Sequence, residues 1–238
     1  MIFHTADLHN RLKPAAARQL AALKREHPSA LLLDAGDAIG AGNLTYRVRG
    51  EPILRLMAEI GYDAMAMGNR ESHPKRSLLV RKLRDAASPV LAANLVAQDG
   101  KALPPGIRAH LIFSGRPRLA VIGLAPQITK PGSAWARVTD FVFADPVRVA
   151  AELAPKLKQE AELVVCLSHA GLRVDRELAA IPEVDLVLGG HSHRKVVEQE
   201  AGKAMVVHPG RFGSHVSRTE ITSRTQVRAE LIQLEVGQ

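Results

Sequence analysis

Seven side chains able to hold a cation punctuate this chain at the ends of apolar runs. Asp7 and His9 follow Met1–Thr5, and Asp37 follows Ala30–Leu33 in the turn Asp34-Ala35-Gly36-Asp37. Asn69 follows Ala64–Met67, His169 follows Leu163–Leu167, and His191 and His193 follow Leu186–Leu188 through Gly189-Gly190. Two aspartates, one asparagine and four histidines form a mixed oxygen and nitrogen donor set. Such a set suits Mn²⁺, Zn²⁺ or Fe rather than Ca²⁺. Residues two apart in an extended segment face the same side, so Asp7 with His9, and His191 with His193, can each act as a pair. A single Asp-x-His or Gly-Asp turn is common without any chemistry. Five such turns in order, each at the end of an apolar run, are what carries the signal.

Those turns need elements that bring them together. Helical periodicity covers Ala15–Glu26 after Pro14, Pro52–Ile60, Lys75–Ala87 and Pro146–Glu160, with Pro155 expected to kink or break the last. Besides the five runs, strands are expected at Pro89–Ala92, Leu111–Phe113, Leu119–Leu124, Val196–Val197, Ala204–Val207, Val216–Ile221 and Val227–Gln233. Strand–helix–strand order in the first two thirds, with strands dominating the end, predicts helices around a central sheet or around two stacked sheets. The C-terminal ends of parallel strands share one edge, where α/β proteins place their sites. Two Pro- and Gly-rich loops, Gln98–Arg108 and Ala125–Thr139, are long enough to be functional. No linker or repeat interrupts the chain, so a single domain over residues 1–238 is expected.

Composition narrows the class. A chain of 238 residues with 46% hydrophobic and 24% charged residues is that of a globular protein, not a disordered one. One cysteine, Cys166, excludes a disulfide framework and a cysteine-cluster zinc site. No apolar run reaches the ~20 residues of a membrane helix, and no leader pattern precedes Asp7, so a cytoplasmic protein without a membrane partner is expected. The net charge of +8 is scattered and suits small anionic substrates as well as nucleic acid. Only 3% of residues are aromatic, which argues against a stacking platform for single strands.

In this order the motifs resemble those of the calcineurin-like metallophosphoesterase superfamily: Asp-x-His, Gly-Asp, Gly-Asn-His-Glu, a single His, and Gly-His-x-His. The chain is most similar to the branch of 5′-nucleotidases and 2′,3′-cyclic-nucleotide phosphodiesterases. Phe3–His9, Leu91–Leu95, Ser168–Gly171 and Pro209–Gly213 all echo that branch. The resemblance runs from Ile2 to about Leu234. It implies an α/β fold, a four-layer α/β-β/α sandwich of two packed mixed sheets flanked by helices. It also implies two divalent ions, Mn²⁺ before Zn²⁺ or Fe. Asp7, His9, Asp37 and His193 would hold one, and Asn69, His169 and His191 the other, with Asp37 bridging. The implied reaction is hydrolysis of a small phosphomonoester or phosphodiester, a nucleotide by resemblance, through attack of a metal-bridging hydroxide.

Two departures matter. Gly68-Asn69-Arg70-Glu71 has Arg70 where the family has a catalytic His. An arginine stays protonated below pH ~12 and so is no general acid, though its fork can neutralise phosphoryl oxygens. Asn69, Arg70 and Arg211 are therefore expected to bind substrate. Losing a general acid costs ~10²–10⁴-fold in rate, and His73, three residues on, is expected to supply the proton. A weakened module that binds metal and phosphate, or a DNA nuclease, are the alternative functions. The branch's nucleoside-stacking C-terminal domain is expected to be absent. His208 and His215 are expected to fix the tautomers of metal-binding histidines.

Overall fold

The computed structural model describes residues 1–235. The apolar runs form two stacked sheets, not one. In the first, β1 (Ile2–Thr5), β2 (Leu31–Asp34), β3 (Ala64–Ala66), β4 (Val90–Leu91) and β6 (Ile107–Arg108) run parallel. The antiparallel pair β14 (His215–Ser223) and β15 (Gln226–Gln233) extends it beyond β1. In the second, β8 (Leu119–Leu124), β10 (Leu163–Ser168), β11 (Leu186–Gly189) and β13 (Met205–Pro209) run parallel. Antiparallel β7 (His110–Phe113) and β12 (Lys195–Glu198) close its edges.

Apart from β6, where Arg108 is exposed, both faces of the parallel strands are largely buried, which is why most of these runs are apolar and do not alternate. Leu33, Val165, Leu167 and Leu188 fill the space between the sheets. The opposite faces carry Phe3, Leu32 and Met65 on one sheet and Ile122, Val164 and Cys166 on the other. Helices α1 (Pro14–Glu26) and α2 (Pro52–Ile60) cover the former with Leu20 and Met57. Helices α4 (Pro146–Leu157) and α5 (Leu172–Ala179) cover the latter with Ala150, Ala154 and Leu178. The result is the expected four-layer α/β-β/α sandwich.

Several elements depart from the sequence expectation. Helix α3 (Arg76–Leu83) is shorter than Lys75–Ala87, and α4 ends two residues after Pro155, not at Glu160. Helix α5 was not expected at all. β6 closes the first long loop, and the second ends in a 3₁₀ turn at Trp135–Val138. β5 (Leu95–Ala97) and β9 (Phe141–Phe143) pair as a separate antiparallel ribbon. Among the described residues, no helix is long and apolar enough to cross a membrane.

Candidate metal centre

In register, Thr5 lies beside Asp34 in the first sheet and Ser168 beside Gly189 in the second. The turns beyond these strand ends meet where the two sheets meet. Asp7, His9, Asp37 and Asn69 come from the first sheet; His169, His191 and His193 come from the second. The expectation of one shared edge is thus replaced by two edges brought together by sheet stacking.

The donors converge on two groups. Asp7 Oδ1 lies 3.6 Å from His9 Nε2 and 3.2 Å from His193 Nε2. Asp37 Oδ2 lies 3.5 Å from His9 Nε2, while its Oδ1 lies 3.4 Å from His169 Nε2. Asp37 therefore turns one oxygen toward each group. The ring of His191 sits 5.0 Å from that of His169, and its backbone N–H donates to Asp7 Oδ2 at 2.8 Å. His169 Nδ1–H donates to the Ala35 carbonyl at 2.7 Å, which frees Nε2 to face the carboxylates. Asp7 Oδ1, His9 Nε2, Asn69 Oδ1 and His169 Nε2 are all buried without a hydrogen-bond partner. Buried polar atoms are rarely left unpaired. Four orphans of ligand type around one point fit a cation centre.

A match to the family model for calcineurin-like phosphoesterases covers residues 1–195. The chain belongs to that family. It is 29% identical over 222 residues to the 5′-nucleotidase of Bos taurus and 30% identical over 223 residues to that of Rattus norvegicus. Each match covers 81% of this chain but only 38% and 37% of those proteins. The fold matches a 5′-nucleotidase precursor from Thermus thermophilus with a TM-score of 0.80 at 23% identity, covering 98% of this chain and 54% of that one. It also matches the calcineurin-like phosphoesterase YfkN of Bacillus subtilis, with a TM-score of 0.75 at 22% identity, covering 98% and 90%.

The electrostatics of this phosphoesterase centre call for positive charge. Burial works against ionisation of Asp37, but the His169 and His9 imidazoles outweigh it and hold the carboxyl well below the usual range. Burial likewise opposes a proton on His169, yet Asp37 and Asp7 push its pKa up to about 9. These shifts show how strongly the clustered carboxylates draw positive charge, which a bound cation would supply.

Glu71 holds the carboxylate side in place. Its Oε2 accepts the Asp37 and Gly68 N–H groups at 2.8 and 2.9 Å, and its Oε1 accepts that of Ile39 at 3.2 Å. A Cβ on Gly68 would overlap Asp37 and Glu71, so only glycine fits there. On helix α3, the buried Lys82 donates to the Gly42 and Ser72 carbonyls and ties down the flanking loops.

The expected substrate and acid residues divide. Arg70 reaches the site: its backbone N–H donates to Asp37 Oδ1 at 2.7 Å, and its Nη1 donates to the Gly40 carbonyl. Arg211 Nη1 lies 3.1 Å from His193 Nδ1. Arg11 and Arg211 both pack against the ring of Phe212, which touches the rings of His9 and His193. A 720 Å³ cavity lined by Arg11, Lys13, Arg211 and Phe212 opens beside this cluster. His73 points elsewhere. It lines a small pocket with Leu44, Trp135 and Phe141, where its Nδ1 accepts the Lys75 N–H at 3.0 Å. His208 and His215 touch no metal-binding histidine; their side-chain partners are Ser192 with Asp175, and Ser214. Motif reading missed the anchoring work of Glu71, although Gly-Asn-Arg-Glu contains it.

Proposed function

We propose that the protein is a two-metal phosphoesterase acting on small phosphate esters, with a nucleotide as the first substrate class to test. The supporting observation is the set of four buried, unpartnered donor atoms on Asp7, His9, Asn69 and His169. Asp7, His9, Asp37 and His193 would hold one cation, and Asn69, His169 and His191 the other, with Asp37 shared. When bound, a cation pair of this kind polarises a phosphoryl oxygen and lowers the pKa of the attacking water. The protein's own residues do the rest. Asn69 and Arg70 orient the phosphoryl oxygens, and Arg70 adds charge that strengthens as the transition state forms. The cavity beside Phe212 and Arg211 receives the group esterified to the phosphate. With His73 set in a separate pocket and its Nδ1 engaged by the Lys75 N–H, no side chain here is assigned the leaving-group proton. Esters with acidic alcohols should therefore react best.

The test uses Mn²⁺-loaded protein with p-nitrophenyl phosphate and with a nucleoside monophosphate. Hydrolysis of the phenyl ester, with the nucleotide slower by about 10²-fold or more, is expected from the missing acid. Arg70→His should narrow that gap. Fully metallated protein that turns over neither ester would make this a binding module instead.

A further inference from the structure

Behind the turn that presents His191 and His193 lies a buried relay outside the metal centre itself. Asp175 on α5 is fully buried and places Oδ2 2.8 Å from His208 Nε2. His208 on β13 is also buried, and its Nδ1 lies 2.9 Å from Ser192 Oγ. The Asp175 carboxylate thus lies at ion-pair distance from one ring nitrogen, while the other is joined to the Ser192 hydroxyl by a hydrogen bond. Ser192 is the residue between His191 and His193, and its own N–H donates to the Gly190 carbonyl at 2.8 Å.

That turn is strained. His191 and His193 adopt left-handed backbone, with φ of 69° and 58°. Such conformations persist in residues other than glycine only when the surroundings over-determine them. The Asp7 bond to the His191 N–H secures one side, and the hydrogen bond between the Ser192 hydroxyl and buried His208 secures the other. Space for the relay is built into β11: a Cβ on Gly189 would overlap both the His208 ring and the Asp175 carboxylate.

We infer that Asp175 and His208 are positioning residues that act through Ser192 to set the two histidines of this turn for metal binding. The inference rests on the metal reading above, and its experiment reads metal affinity, not turnover alone. Mn²⁺ is titrated calorimetrically into the wild type and into Ser192→Ala, His208→Leu and His208→Gln, and urea midpoints are taken without metal. Ser192→Ala and His208→Leu should raise the Mn²⁺ Kd by about 10- to 100-fold, as loss of a ligand-orienting partner does. A glutamine amide can pair with the Ser192 hydroxyl as donor or as acceptor, so His208→Gln should return the Kd to within about threefold of wild type. The metal-free urea midpoint of Ser192→Ala should fall only modestly, since one buried His208 nitrogen loses its partner, and kcat on p-nitrophenyl phosphate should recover at saturating Mn²⁺. A Ser192→Ala Kd within twofold of wild type, or equal affinities for His208→Leu and His208→Gln, would overturn the assignment. A wild type that takes up no Mn²⁺ overturns both it and the metal reading beneath it.

Discussion

The two sheets contribute unlike halves to the centre. The first supplies both aspartates with His9 and Asn69; the second supplies only imidazoles, on His169, His191 and His193. The aspartates are buried and braced, Asp37 by Glu71 and Asp7 by its backbone bonds to Gly36 and Phe212. The imidazole half is graded: His169 is fully buried against Ala35, while His191 and His193 sit at the mouth on a strained turn. Carboxylate oxygen thus comes from one layer alone, and the other adds only imidazole nitrogen. Neither half is a site by itself, so the inter-sheet core of Leu33, Val165 and Leu188 is also what holds the donor set together.

The largest effect should come from breaking the charged half. Asp37→Ala removes an oxygen aimed at each donor group and is expected to weaken Mn²⁺ binding by more than the roughly 10- to 100-fold typical of a supporting residue. His193→Ala, at the mouth, should cost less; calorimetric titration ranks the two, and the reverse order would undo the comparison. A smaller effect is expected from Glu71→Gln, which turns an amide NH₂ toward backbone N–H groups. Urea unfolding should show a loss of about 1–3 kcal/mol from the unsatisfied donors, with reduced activity because Asp37 and Gly68 lose their common anchor.

The smallest effect concerns proton linkage. On β1, His4 has its pKa lowered to about 3, first by burial and then by His208. Between its ordinary value near 6.5 and that depressed one, the unfolded chain binds a proton that the native chain refuses. His4 therefore costs no stability above pH 6.5 and costs progressively more as the pH falls toward 3, by at most ~1.4 kcal/mol per pH unit. Urea midpoints measured between pH 6 and 4.5 should fall less steeply for His4→Leu than for the wild type.

The donor residues were legible because each closes an apolar run, and burial on both faces makes such runs conspicuous. Helix α5 was not, because Leu172–Ala179 is only eight residues long and half of them are charged, with buried Asp175 among those. Lys75–Ala87 read as too long a helix because Ser88-Pro89 was the only visible stop, whereas the helix ends at Leu83. His73 shows the limit of spacing arguments. Three positions beyond Arg70 in a turn leave its direction open, and contacts with Lys75 and Leu44 decide it. The relay through His208 joins residues from α5, β11 and β13 that no local pattern connects.

Among the described residues, the non-glycine positions with left-handed backbone are Asp7, His9, Asn10, Asp37, His191, His193 and Phe212, all in the turns around the centre. Each such residue carries of order 1–3 kcal/mol of conformational cost. Glycine would relax most of them and raise thermal tolerance while deleting the very groups that define the protein. A screen for heat resistance alone would therefore drive this molecule toward an inert scaffold, because the conformational cost sits in the turns that carry the donors.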